Sequence, residues 1–490
     1  MLAEAFGKPN VAPGVETTDA GAGRAGELAL GAAVILVIGA VLSVAVWVAG
    51  PESLPELTQV APHLVIDKFT LFFSFTLCVG GALAALLAGG YLPEHGIDRS
   101  EFFPLLLLST VGAMALSAAG DLLTLFVALE TMSLGVYSLI GLRRGSPRAA
   151  EAALKYFLLG SFAAAIMLFG LALLYGATGH TDLAGIGAAV RSIGSPGSTV
   201  SAGKILISLV LVLVGLAFKV SAVPFHQWTP DAYEGAPTPA ATYMAVAVKS
   251  AAFAVLLRVL LVGFGDERLA SWGAGWPPAL AVLAVLSMTV ANLVAGRQES
   301  VKRMLAYSSI AHAGYALVGV VAAMRSPEAV SAVAFYLLAY TVSTAGAFGA
   351  LILCGSRGAE AVSYEDLAGV GKRHPAAALA FSLFLFSLAG LPPTAGFFGK
   401  LYVFRTAIDS GLYTLAILGL VNSVIGAYYY LRVMVYLYMR EPAPGAPRAV
   451  TMRSGFVATA LVAAAIFVLL LGMAPGFTLD MASGAALTAR

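Results

Sequence analysis

Residues Gly215 to Pro239 read GLAFKVSAVPFHQWTPDAYEGAPTP, and residues Ser387 to Val403 read SLAGLPPTAGFFGKLYV. Each stretch sets a lysine beside proline inside an apolar run. Pro224 removes a backbone donor and clashes with the preceding turn, which opens or kinks the helix beside Lys219. Leu391-Pro392-Pro393-Thr394-Ala395-Gly396 does the same within two turns of Lys400. Freed carbonyls next to a buried ammonium make an ion site, and interrupted segments at matching places in two halves of a chain point to an internally repeated transporter.

Outward from these stretches the chain stays apolar. Of its 490 residues 59% are apolar and 11% charged, with a mean hydropathy of +0.89, whereas a soluble domain is roughly 45–50% apolar and about 25% charged. A single soluble globule is excluded, and the expected class is an all-α polytopic membrane protein in a lipid bilayer. Thirteen apolar runs follow one another, at 28–49, 69–91, 102–119, 121–141, 149–175, 203–223, 239–262, 278–296, 302–324, 329–354, 376–409, 411–439 and 455–474, with the eleventh counted as one broken helix. The layout is then a polar tail over 1–26, N-terminal helices over 27–119, repeats over 120–262 and 278–440, and a last helix and tail over 455–490.

Positive charge orients the chain. Alternate loops carry Arg99; Arg143, Arg144 and Arg148; none; Arg297, Lys302 and Arg303; Arg357, Lys372 and Arg373; and Arg440, Arg448 and Arg453. The intervening loops hold only Lys68, Arg191, Lys204, Arg268 and Arg325, so the first set faces the cytoplasm. The loop from Pro224 to Pro239, placed inside by alternation, has no basic residue to support it. The formal net charge of +2 gives no reason to expect nucleic acid, and two cysteines, Cys78 and Cys354, exclude a disulfide framework or a cysteine-ligated metal centre. No phosphate-binding loop or metal-ligating motif is found, so redox and nucleotide chemistry lie elsewhere.

Seven basic residues remain inside the apolar runs: Lys155, Lys219, Lys249, Arg258, Lys400, Arg405 and Arg432. Glu130 is the acid near the middle of a run. A charge at mid-bilayer costs about 2.5–3.5 kcal/mol on insertion scales and marks a protein interior or an ion path. Lys155, Arg405 and Arg432 lie where a long side chain can snorkel or pair locally, and Arg258 falls nearly opposite Lys249 on its helix. Glu130, Lys219, Lys249 and Lys400 are the sharper candidates. Glu130 shares a stripe with Ser133 and Tyr137, and His312 shares one with Ser308 and Tyr315. His226 can extend a path from Lys219 toward the cytoplasmic side. The competing reading makes each a satisfied packing residue. Desolvation favours the neutral form of a buried lysine and a nearby carboxylate restores the charged one, so a Glu that approaches or leaves a Lys loads and unloads a proton.

The stretches LFVALETMSLG (Leu125–Gly135), VKRMLAYSSIAHAGY (Val301–Tyr315) and YYYLRV (Tyr428–Val433), with the two that open this section, resemble the antiporter-like membrane subunits of respiratory complex I. The resemblance covers most of the chain from about 66 to 475. It implies a fold of about fourteen helices built on two inverted five-helix repeats, each with a broken helix. One helix is then lacking here, the first, and a misassigned start is the expected cause. The resemblance implies a water-bridged row of charges in which Glu130, Lys219, Lys249 and Lys400 match the family's glutamate and lysines, with Lys155, His226 and His312 at similar positions. It also implies proton translocation driven by other subunits, which hold NADH, FMN, iron–sulfur clusters and quinone, with no cofactor in this chain. Neighbouring antiporter-like and small membrane subunits would be the partners and a bacterial inner membrane the location. The alternatives are a subunit of a multi-subunit Na⁺/H⁺ antiporter or a structural spacer in the membrane arm.

Overall fold

The computed structural model describes residues 18–53, 60–97, 99–198, 200–273, 275–355, 360–442, 454–484 and 487. Residues 1–17 of the expected tail, and Arg357, Arg448 and Arg453 of the charge count, lie outside the described residues. The chain is helical almost throughout. In order come α1 (Thr18–Ala49), α2 (Lys68–Glu94), α3 (Phe102–Ala118), α4 (Leu122–Ile140), α5 (Pro147–Thr178) and α6 (Leu183–Arg191). Then follow α7 (Ala202–Val220), α8 (Trp228–Gly235), α9 (Thr238–Gly263), α10 (Pro277–Ala295), α11 (Val301–Ala322) and α12 (Glu328–Cys354). The last are α13 (Pro375–Ala389), α14 (Ala395–Asp409), α15 (Tyr413–Met439), α16 (Gly455–Met473) and α17 (Pro475–Gly484). Starts follow local chemistry: Asp67, Asp121, Ser146, Asp182 and Ser300 each accept a hydrogen bond from a first-turn backbone N–H.

Two boundaries differ from the sequence reading. The first helix begins at Thr18, inside the stretch read as tail. Among the described residues eleven helices are long and apolar enough to cross a membrane, against thirteen expected crossings, and Phe102–Ala118 and Pro375–Ala389 are shorter apolar helices. The 376–409 run is two helices of 15 residues each, neither reaching the ~20 that a straight crossing takes.

Burial sorts the helices. Those at the centre, α9, α11 and α12, have 94% of their apolar window buried, while α1, α5, α15 and α16 have 33–39%. The outer helices show large apolar side chains such as Val34, Phe162, Ile417, Val424 and Ile466, as lipid-facing surfaces do. The sequence-marked breaks meet this centre. α7 ends at Val220; Ser221 takes φ +64°, a left-handed conformation that a residue with a Cβ seldom adopts, and the Val223 N–H donates to Ser287 Oγ at 2.9 Å. The second break turns at Gly390, φ +86°. At Gly396 a Cβ would lie 1.8 Å from Ser387 O, so only glycine lets α14 start so close to α13. α9 departs from α-geometry twice, at π turns over Met244–Val248 and Val259–Gly263, which bracket the segment Lys249–Arg258.

Candidate functional site

The sharper candidates fall into two groups on adjoining helices. In the first, Lys219 is 3% exposed and donates from Nζ to Ser133 Oγ at 2.8 Å. Ser133 passes the chain on by donating to Leu129 O. Glu130 lies one turn before Ser133, and its Oε1 is buried without a protein partner. The pairing expected between Glu130 and Lys219 is not a direct bond: the ammonium's hydrogen bond goes to Ser133. The rings of Tyr137, Tyr156 and Phe218 stand 5.5–5.9 Å from the ammonium, where their π faces offset part of its desolvation. The hydroxyls of Tyr137 and Tyr156 are buried and have no protein partner.

The second group begins at Lys249. Its Nζ donates to Ser309 O at 2.5 Å and also to Ser309 Oγ, with the Tyr340 ring at 5.8 Å. The Tyr340 ring centre lies 5.0 Å from that of His312. His312 is held at both nitrogens, by the Tyr336 hydroxyl at 2.6 Å from Nδ1 and the Tyr430 hydroxyl at 3.1 Å from Nε2. Tyr430 also bonds Ser308, which completes the stripe expected along α11. One turn on, the Tyr315 ring lies 5.0 Å from Lys400 Nζ. Lys400 donates to Ala389 O and to Ser423 Oγ, both at 2.9 Å.

The two lysines beside the breaks behave differently. Lys400 takes up a carbonyl freed at the end of α13, as the sequence reading had it. Lys219 does not: Phe218 O is taken by Trp228 Nε1 at 3.1 Å and Ala217 O by the Ala222 N–H at 2.9 Å, so the ammonium turns to Ser133. Helix α8 joins the groups, because Trp228 stacks on Tyr156 with ring centres 4.2 Å apart while the Tyr233 hydroxyl lies 3.4 Å from Ser309 Oγ. Helices α7 and α9, which carry Lys219 and Lys249, pack directly against each other through the segment Lys249–Arg258.

Lys155 and His226 are placed apart from both groups. Lys155 is 46% exposed and pairs with Glu151 at 2.7 Å and Asp231 at 3.0 Å; Arg303 pairs with Asp231 and Glu234. Burial works against the Asp231 carboxylate, yet hydrogen bonds from Lys155 and Arg303 hold it below the usual range. His226 is half-buried in the turn after the first break, and its Nδ1 has no protein partner. The loop without basic residues thus lies among the basic ones: Asp231 is held by Lys155 and Arg303, and Ala236 O accepts from Lys302 at 2.6 Å.

Sequence reasoning missed two ion pairs. Arg258 clasps Asp67 through Nη1 and Nη2, both at 2.9 Å, and also donates to Thr70 Oγ1 and Ser117 O. Lys302, 1% exposed, pairs with Glu360 at 3.0 Å, where Tyr91 and Thr238 also donate to the carboxylate. Burial alone would raise the Glu360 carboxyl, but the Lys302 ammonium and those hydrogen bonds hold it down at about 2. Nothing local signals either pair, since Asp67 and Glu360 sit in loops far from their partners along the chain. Arg405 stays on the surface beside Asp409, and Arg432 donates to Gly296 O and Gln298 O. Cys78 and Cys354 are buried free thiols. No cluster of three or more metal-ligating side chains occurs among the described residues.

A helical membrane fold with broken helices and a buried lysine row defines an antiporter-like membrane subunit. Residues 119–426 match the family described as "NADH:quinone oxidoreductase/Mrp antiporter, TM". NADH-quinone oxidoreductase subunit N 1 of Sorangium cellulosum is 67% identical over 492 residues, covering 100% of this chain and 96% of that protein. Subunit N of Myxococcus xanthus is 42% identical over 84% of this chain and 83% of its own. A chain of respiratory complex I from Thermus thermophilus superposes with a TM-score of 0.69 at 36% identity, covering 93% of this chain and 98% of that one. A chain of the Mrp complex from Dietzia sp. reaches 0.79 at 24% identity over 94% and 92%, which speaks for the fold alone. The chain belongs to the NADH:quinone oxidoreductase/Mrp antiporter transmembrane family, and the Sorangium cellulosum and Myxococcus xanthus relatives, which span most of it, are named as subunit N.

Proposed function

We propose that the chain is a proton-translocating membrane subunit of an NADH:quinone oxidoreductase, working through Glu130, Lys219, Lys249, His312 and Lys400. One observation carries the reading: three lysines buried at depth are each anchored to a serine hydroxyl rather than locked to a carboxylate. Such bonds are worth about 1.5–3 kcal/mol, little enough for a shift in neighbouring charge to make and break them. Around them, Glu130 Oε1 and the hydroxyls of Tyr137, Tyr156, Tyr340 and Thr344 are buried with unused hydrogen-bonding capacity, where bridging water belongs. Two antiporter-like repeats, over 120–262 and 278–440, would each contribute one break with the lysine beside it, Lys219 and Lys400, and Lys249 would stand at the end of the first. Redox chemistry, with its NADH, FMN, iron–sulfur clusters and quinone, would belong to partner subunits in the same bacterial membrane, and this chain would respond to their changes in charge. Lys155 and His226 would serve at the cytoplasmic margin of the path. The Na⁺/H⁺ antiporter alternative is favoured by no separate observation.

The test reconstitutes the complex with Lys219→Ala and with Glu130→Ala and measures protons pumped per NADH beside the yield of assembled complex. Loss of pumping with assembly intact is expected. Normal pumping in both variants, fully assembled, refutes the relay and leaves the spacer reading.

A further inference from the structure

We infer that the end of α11 binds a phospholipid with an aminated headgroup, its phosphate on Arg325, one acyl chain in the groove between α10 and α15, and its amine toward Glu328, Asp409 and Asp480. Arg325 lies between two cavities of unlike chemistry. On one side is a groove of about 620 Å³ lined by Ala281, Val282, Val285 and Leu286 of α10 and Leu415 and Leu418 of α15. On the other is a cavity of about 600 Å³ whose lining includes the three carboxylates, Arg405 paired with Asp409 at 3.7 Å, and Ser326 and Ser483.

Depth and chemistry agree with that occupant. Trp272 and Tyr413 flank the mouth of the groove, 40% and 62% exposed, and aromatic residues of this kind settle at the headgroup level of a bilayer. The Arg325 guanidinium lies over the Trp272 ring at 5.9 Å and donates from Nη1 to Ser410 O at 2.9 Å, which fixes the fork. Arginine carries five N–H donors in a planar array suited to phosphate oxygens, so donors remain beyond that one bond. Val282 and Leu286, 57% and 39% exposed, line the floor that an acyl chain would cover. With Arg405 set against them the three carboxylates still leave a negative balance beside the phosphate site, which disfavours a purely anionic headgroup and favours one that brings its own ammonium.

The experiment uses the intact complex extracted in mild detergent, with bound lipid measured by mass spectrometry after controlled delipidation and re-addition of phosphatidylethanolamine or phosphatidylglycerol. Retention of phosphatidylethanolamine over phosphatidylglycerol is expected. Arg325→Gln should weaken it about tenfold or more, the effect of one lost charge-assisted hydrogen bond, and Glu328→Gln with Asp409→Asn should erase the headgroup preference. Should Arg325→Gln prevent assembly, a photo-crosslinking residue at Val282 decides: an adduct with lipid supports the site, and an adduct with a neighbouring subunit overturns it. Equal retention of both lipids, or retention unchanged in Arg325→Gln, also overturns it.

Discussion

The contact between Lys219 and Ser133 makes the sharpest prediction. Ser133→Ala removes the hydroxyl that accepts from Lys219 Nζ at 2.8 Å, in a site where the serine is 1% exposed and the lysine 3%. A hydrogen bond made by a charged group nets about 1.5–3 kcal/mol, so this placement of the ammonium loses a factor of roughly 10–150 in population against its alternatives. The rings of Tyr137, Tyr156 and Phe218 stay where they are and keep the side chain buried, so the fold is retained while the ammonium loses its hydroxyl partner. Protons pumped per NADH should therefore fall in Ser133→Ala and recover in Ser133→Thr, which restores a hydroxyl on the same Cβ. The assay pairs pumping in sealed vesicles with the melting temperature of the solubilised complex. The reasoning fails if Ser133→Ala pumps normally while Lys219→Ala does not, because the hydroxyl would then be a bystander. It fails equally if pumping and melting temperature fall together in both Ser133 variants, which would make the site mere packing.

Arg258→Met strands the Asp67 carboxylate; breaking a buried pair costs about 3–5 kcal/mol, and with Asp67 33% exposed the lower end applies, so thermal melting should drop while pumping per assembled complex holds. The Glu360 carboxyl sits at about 2 against an ordinary 4.5, so its contribution to stability, about 3 kcal/mol, is complete above pH 4.5 and lost as pH falls from there toward 2. Melting curves of unaltered complex and Glu360→Gln should therefore converge across that window, and parallel curves would count against the pair. Lys400→Ala should cost more pumping than Arg405→Ala, because Lys400 is buried with two partners while Arg405 is a surface residue beside Asp409; equal losses in a side-by-side pumping assay would contradict this ranking.

Proline and charge were legible because both act locally. Pro224 and Pro392-Pro393 break helices wherever they fall, and an ionisable group in an apolar run announces itself without knowledge of its neighbours, so the breaks and the row of Lys219, Lys249 and Lys400 could be read from the chain. Partners could not. Which oxygen Lys219 chooses depends on Phe218 O being taken first by Trp228, a contact across the corner of α7 and α8. The chain shows that Lys155 can pair locally, but not that its partners are Glu151 and, 76 residues on, Asp231. The π turns on either side of Lys249–Arg258 have no residue pattern that announces them, and burial does not account for them, since α11 and α12 are as deeply buried and stay α-helical.

The buried cations divide by the partner each has found, and the division has a physical consequence. Arg258 and Lys302 are tied to carboxylates with added hydrogen bonds, and releasing either leaves a charge stranded in a poorly solvated place, at about 3–5 kcal/mol. Both pairs bind α9 to its surroundings: Arg258 lies near its C-terminal end, and Thr238, which donates to Glu360 beside Lys302, opens it. Between these ties stands Lys249, bonded to Ser309 and preceded by the first π turn, where the hydrogen-bonding register is wider than in an α-helix. Under the proposed relay, such fixed ends would leave the rearrangement to the segment that carries Lys249. A change in charge nearby would then move its ammonium relative to Ser309, Tyr340 and His312, and not the whole helix.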